Sequence, residues 1–382
     1  MCTIESFEDY VDPIQEAVDD LLLPTLFGPT EPLPSDLRQL VALTPAQGGL
    51  GVPDLRFEAP KQFAASTSIT APHVNSITTQ SMFMVAGENS TEELKALKTA
   101  SIKLRMESID STLPLDLLRS RDKGASSWLT AVTLVDQGLV LNKQELRDSL
   151  RLRYNMPLSD LPSKCVCGEN YTVCHALSCI KGGFVAQRHD GVRNLLTSHI
   201  RKVCTNVEVE PQLQRLDNER FNLRSAVTRA EARLDFKEGG VWSRGVTAFF
   251  DVRVTHVNSR CNLGKTTSTI FKEQEEEKKW KDQQKVLDVE MGPFSPLAFG
   301  TNGEMGAECN CFLKRQAEKL SEKNEEPYHI TITWIRTLLS FEIVRSAHTC
   351  VRGSRTLFHK IPQGDFIDDC RLNTTQACVI MA

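Results

Sequence analysis

The chain of 382 residues is long enough for two or three domains, and 40% hydrophobic with 25% charged residues is ordinary for a globular protein with buried cores. A formal net charge of −4 excludes a protein that coats nucleic acid by bulk positive charge. No stretch approaches the roughly 18 apolar residues of a membrane span, and the acidic start MCTIESFEDYVDP does not read as a signal peptide. An intracellular protein with no membrane partner is expected, in which the twelve cysteines are thiols or metal ligands rather than disulfides.

Residues 1–126 read as a helical linker region. Ile14, Ala17, Val18, Leu21 and Leu22 recur at helical spacing until Pro24, Pro29, Pro32 and Pro34 break the pattern. Asp19-Asp20 lies within that pattern and so reads as a helix face rather than a polymerase aspartate pair on a hairpin. Ser90 with Glu93 forms a capping box ahead of Leu94, Leu97 and Ile102. A connector, 127–164, holds a short apolar segment, a Gly turn and an amphipathic helix ending near Tyr154.

At 165–184 the chain reads CVCGENYTVCHALSCIKGGF. Cys165, Cys167, His175 and Cys179 form a C-x-C-x7-H-x3-C array, three thiolates and an imidazole suited to tetrahedral zinc. Gly168 permits the tight first turn. Cys174 is a spare thiol that competes with His175, and buried or redox-active thiols are the other reading of the cluster. From Asn142 to Thr205 there are ten Lys/Arg against five Asp/Glu, so the array sits in a locally basic segment. A solvated charged surface would look the same.

The region 185–382 reads as α/β. Val192, Leu195, Leu196, Ile200 and Val203 predict a helix; strands follow at 207–209, 232–236 (ARLDF) and 248–257 (AFFDVRVTHV). A charged helix covers 271–285, and VLDVEM at 286–291 alternates as a fourth strand. The order is helix, three strands, helix, strand. In the third strand Phe250, Val252 and Val254 share one face, Asp251 and Arg253 the other. In the second, Leu234 and Phe236 pack and Asp235 faces away. If the two strands are neighbours, Asp235 and Asp251 converge on one hard cation, with Glu210 as a third oxygen donor. That is a magnesium or manganese site of the kind used in phosphodiester hydrolysis, and Arg253 or Lys278 would stabilise the developing negative charge. The same alternation suits any half-exposed sheet.

These segments, with RHDGVRNLL, VEPQLQRL, EKKWK and VLDVEMGPFSPLAFGTNGEMGAE, resemble in order the C-terminal part of non-LTR retrotransposon polyproteins, which end in a CCHC zinc knuckle and a restriction-endonuclease-like domain. Upstream, TPAQGGLGVPDLRFEAPKQFAAS and the connector resemble the linker after reverse transcriptase. The resemblance implies a PD-(D/E)-x-K nuclease that nicks a DNA target, with structural zinc and catalytic magnesium or manganese. Asp235 and Asp251 match its two acids, Arg253 or Lys278 its basic residue, and Asp190 an auxiliary acid. Leu234 replaces the usual proline. Arg253 replaces lysine and, always charged, cannot serve as a general base. The knuckle would contact phosphates, with Lys181, Arg188 and Arg193 as nucleic-acid-binding residues, and would hold target DNA or the element's RNA. A nuclear location, no reverse transcription by this chain and no small-molecule substrate are implied. A catalytically inactive nucleic-acid-binding remnant and a decayed reading frame are the alternatives at this point.

Overall fold

The computed structural model describes residues 8–28, 32–80, 89–213 and 234–354, and the chain divides into two compact units, Met1–Arg121 and Asp122–Ala382. The first is helical, with α1 (Glu8–Ala17), α2 (Ser35–Val41), α3 (Leu55–Thr78) and α4 (Asn89–Thr112). Leu37, Leu40 and Val41 are buried at helical spacing, as are Leu23 and Phe27. The turn after α2 requires glycine, because a Cβ on Gly49 would lie 2.0 Å from the Leu43 carbonyl oxygen. Asp19 and Asp20 sit in a π turn, Val18–Leu22, that continues α1. Asp19 pairs with Arg38 at 3.3 Å, so this acid serves packing within the unit.

In the second unit, α5 (Lys143–Arg153) starts at a capping box. The Asn142 side chain accepts from the Gln144 and Glu145 N–H groups at 2.9 Å each, and Glu145 returns a bond to Asn142 at 2.8 Å. The chain then forms α6 (Phe184–Ile200), β1 (Thr205–Val209), β2 (Phe236–Gly239), β3 (Thr247–Thr255), α7 (Thr267–Lys278), β4 (Phe294–Gly300), α8 (Ala307–Asn324) and α9 (Tyr328–Arg352). The strands make one mixed sheet in the order β1-β2-β3-β4. The first two pairings are antiparallel, and β3 runs parallel to β4.

The alternation of β3 decides how the sheet is covered. Phe250 and Val252, with Leu297 and Phe299 of β4, enter a core shared with α6, α8 and α9. Phe250 stacks on Phe236 at 4.7 Å between ring centroids and meets Phe312 at 4.8 Å, contacts worth about 0.5–1.5 kcal/mol each beyond burial. On the opposite face Phe249 and Phe294 pack with Leu213, Leu234 and Val286. Leu234 and Phe236 therefore enter two different cores, because regular pairing of β2 starts only at Phe236. Residues 232 and 233 of the expected second strand lie outside the described residues.

The expected strand at 286–291 is a correction. Residues 286–290 are helical and the fourth strand is Phe294–Gly300, every residue of which is buried. A parallel strand covered on both faces shows a continuous apolar run, whereas the short alternation of VLDVEM also fits a helix with Val286 inward. Pro296 is tolerated because β4 pairs on one side only.

Long side chains tie the connector to α9. Arg345 donates to the carbonyls of Gly138 and Val140. Arg352 forks onto Asp148 at 2.7 and 2.9 Å, and His348 reaches the same carboxylate at 3.0 Å. These two arginines of the C-terminal helix are packing elements, and Arg355 lies outside the described residues.

Candidate functional site

Four ligand atoms, the thiols of Cys165, Cys167 and Cys179 and a ring nitrogen of His175, lie within 4.8 Å of one another and could hold a metal ion; the donor set suits zinc. The local chain explains the convergence. Gly168, at φ +93°, closes a turn in which its N–H donates to the Cys165 carbonyl at 2.9 Å. Thr172 caps the short helix Val173–Ala176 by accepting from the His175 N–H at 3.1 Å, and the Cys179 N–H donates to the His175 carbonyl at 2.8 Å. Helix geometry thereby sets His175 and Cys179 one turn apart. Cys165 Sγ is 3.8 Å from Cys179 Sγ, and Cys167 Sγ is 3.3 Å from His175 Nε2. Burial opposes ionisation of Cys165, but the Cys167 N–H and the His175 side chain bring its thiol down to about 6. Cys174 turns away towards the Asn258 carbonyl and is not a fifth ligand.

The Cys/His segment is fastened to the sheet unit rather than tethered to it. Leu177 and Ala176 pack with Leu152, Phe184 and Val351, and the Tyr171 hydroxyl donates to the Val351 carbonyl at 2.5 Å. Arg188 is 3% exposed and donates to the carbonyls of Leu177 at 3.1 Å and Val254 at 3.3 Å. Its guanidinium bridges the Cys/His segment and β3, and so is not presented to a phosphate. Lys181 is exposed.

The second cluster is assembled from distant chain positions. The Asp235 N–H donates to the Phe250 carbonyl at 3.1 Å and its carbonyl accepts from Glu210 at 2.9 Å, so this residue extends the ladder between β1 and β3. Its side chain accepts from the Val252 N–H and from His189 Nε2 at 3.1 Å. Asp251, on the adjacent strand, is 7% exposed and ion-paired with Lys278 at the end of α7. Burial, with the Asp235 charge added, pushes the Asp251 carboxyl up to about 7, and Lys278 opposes that rise. Burial also works against ionisation of Asp235, but the His189 and Val252 hydrogen bonds keep it below the ordinary carboxylate range. His189 is the reciprocal case. Burial alone would lower it, but bonds to Asp190 and Asp235 push it up to about 10.

The remaining expected residues divide. Arg193 of α6 meets Glu210 at 2.8 Å and Asp190 at 3.2 Å, which places three charges of the reading in one ion-pair group beside the acid pair. Glu210 has the left-handed φ of +52° and turns its carboxylate to Arg193. Arg253 shares the Asp251 face but pairs with Glu277 at 2.6 Å, leaving Lys278 as the cation on Asp251. His189 is the site residue that sequence reasoning missed. Its sole signal was its position in RHD before the sheet, since its contact to Asp235 spans 46 residues. Asp282 is a second omission. It is half-buried, and burial raises its carboxyl while Lys281, Lys278 and Lys285 oppose the rise.

Among the described residues, the Cys/His group is the one cluster of three or more donors close enough to share an ion. Asp235 and Asp251 supply two oxygens, which suits magnesium, an ion that keeps several waters and takes further oxygens from a phosphate. No helix among the described residues is long and apolar enough to cross a membrane. No protein-family model and no curated protein matches the chain.

Proposed function

We propose that the second unit is a metal-dependent DNA endonuclease domain with a zinc knuckle, the tail of a non-LTR retrotransposon protein, that nicks a target strand. One observation carries the reading: Asp235 and Asp251, acids from adjacent strands, meet Lys278 at the end of the following helix, within an order of helix, three strands, helix, strand. The resemblance of the segments around these residues supports it.

Asp235 and Asp251 would hold magnesium or manganese, which polarises the phosphate and makes hydroxide available near neutral pH. The protein's own groups prepare the site. His189 fixes one Asp235 oxygen from α6, while the buried main chain of Val252 fixes the same carboxylate from below. Lys278 keeps a positive charge beside Asp251, where negative charge develops on a phosphate in transit. Arg253 stays charged and pairs with Glu277, so no proton passes through it. In this reading zinc closes the Cys165, Cys167, His175 and Cys179 turn, and Lys181 is its exposed phosphate contact.

The test is nicking of supercoiled plasmid by the full chain with magnesium or manganese, comparing wild type with Asp251→Ala. Cleavage by wild type alone is expected. Intact plasmid with both proteins, together with a gel shift by both, would replace the nuclease by a nucleic-acid-binding remnant.

A further inference from the structure

A second group of charged side chains lies away from the acid pair. The helices α8 and α9 cover the sheet face that carries Phe250 and Val252, while Asp251 belongs to the other face. They form a hairpin whose turn lies at 325–327. Lys314 and Arg336 stand 12 and 10 residues from Glu326, roughly 18 and 15 Å along antiparallel helices, and so lie at similar levels. Lys123 comes from the connector. The Gly124 turn that follows it is pressed on the Gly303 turn so closely that a Cβ on Gly124 would lie 2.3 Å from the Gly303 carbonyl oxygen. A Cβ on Gly303 would in turn be 3.6 Å from Ser340, one helical turn beyond Arg336. Packing of glycine on glycine thus sets Lys123 beside the hairpin.

None of the three cations has a carboxylate within ion-pair distance among the described residues. Arg336 Nε is buried without a hydrogen-bond acceptor, although a buried donor left unmade is costly. Burial first, and then the nearby charges of Arg336 and Lys314, hold the Lys123 ammonium below its ordinary range. Elsewhere in this unit Arg352 is matched by Asp148, Arg193 by Glu210 and Lys279 by Glu308, while the buried Arg153 and Arg188 donate to main-chain carbonyls. A convergence of unmatched cations around a buried free N–H asks for an anion from outside the chain.

We propose that Lys123, Lys314 and Arg336 bind a phosphate group of a nucleic-acid backbone, an anchor on the helical layer remote from the acid pair. The anion class follows from the cations and the unpaired Nε; its assignment to a nucleic acid rests on the nuclease reading.

Two exposed lysines allow a test that leaves the core intact. Wild type and the double variant Lys123→Gln/Lys314→Gln are compared by thermal melting with and without inorganic phosphate. They are also compared by filter binding to a DNA duplex over a range of salt, without added divalent ions, so that cutting does not enter. Phosphate should raise the Tm of wild type and not of the variant. In phosphate-free buffer the variant should melt higher, because repulsion is relieved. Its plot of log affinity against log salt should flatten by about 0.9, the slope that one neutralised phosphate contributes. Equal phosphate effects on both proteins would overturn the site. A phosphate effect confined to wild type, with an unchanged DNA salt slope, would overturn the backbone assignment in favour of a small phosphate compound. Failure of plasmid nicking would end the nuclease reading and leave these binding results standing.

Discussion

The Cys/His segment and the acid pair are two ways of bringing ligands together. The first collects its donors within 15 residues by a glycine turn and one helical turn. The second collects its groups from α6, the start of β2, β3 and α7, between residues 189 and 278. In the first, three thiols and an imidazole face one another, a donor set that suits zinc. In the second, Lys278 and His189 already hold the positive charge beside the acids. The difference teaches that short-range turns suffice to set the local donors, while the assembled site is organised by charges from several elements.

The largest expected effect is at the Cys/His turn. Apparent zinc binding in small structural sites is worth about 10–16 kcal/mol. Cys165→Ser or Cys179→Ser should therefore lose the bound zinc and the fold of residues 164–180, read by metal analysis and by proteolysis. Zinc retained by both variants would break the comparison at its first term.

Lys278→Met should cost about 1–3 kcal/mol at neutral pH, since Asp251, its carboxyl already up to about 7 beside Asp235, loses its cation and takes up a proton. Urea unfolding measures this. Magnesium should then stabilise the variant more than wild type; equal stability of the two proteins without metal would show that Lys278 does not balance the pair.

Arg188→Met removes the donor that joins the two regions, leaving the carbonyls of Leu177 and Val254 without it, and should cost about 1–3 kcal/mol. Zinc stoichiometry should survive, because none of the ligands is touched. If the variant sheds zinc while the sheet stays folded, the Cys/His segment depends on its dock more than on its own turns.

Asp148 tests the anchor of α9, the helix on whose end the Cys/His segment rests. Burial works against its charge, but Arg352 and His348 hold its carboxyl down at about 2. Ionised Asp148 then contributes about 2 kcal/mol above the ordinary carboxylate range, lost as pH falls from about 4 to 2. Asp148→Asn should remove that contribution and flatten the stability profile in that window. An unchanged profile would show that the forked contact with Arg352 adds nothing to the anchor.

Much of the sheet was legible because β3 alternates from Phe250 onward. Phe250 and Val252 faced one way and Asp251 the other, as their letters require. β4 was not, because FSPLAFG is buried on both faces and carries no period. Arg188 and Lys181 carry the same formal charge in the same basic segment, yet one is buried on two carbonyls and the other is exposed. Charge counts do not distinguish them, since burial is decided by Leu177, Val254 and Cys350, which come from three other parts of the chain.

By itself, then, the sequence determined the Cys/His turn, the α/β class and the faces of β3 from Phe250 onward, all of which follow from periodicity or from neighbours within one or two turns. The tertiary structure alone decided that His189 reaches Asp235, that Lys278 rather than Arg253 pairs with Asp251, and that the Gly124 and Gly303 turns pack together. Side-chain partners far apart in the chain depend on helix packing and strand pairing, and those are set by the whole core.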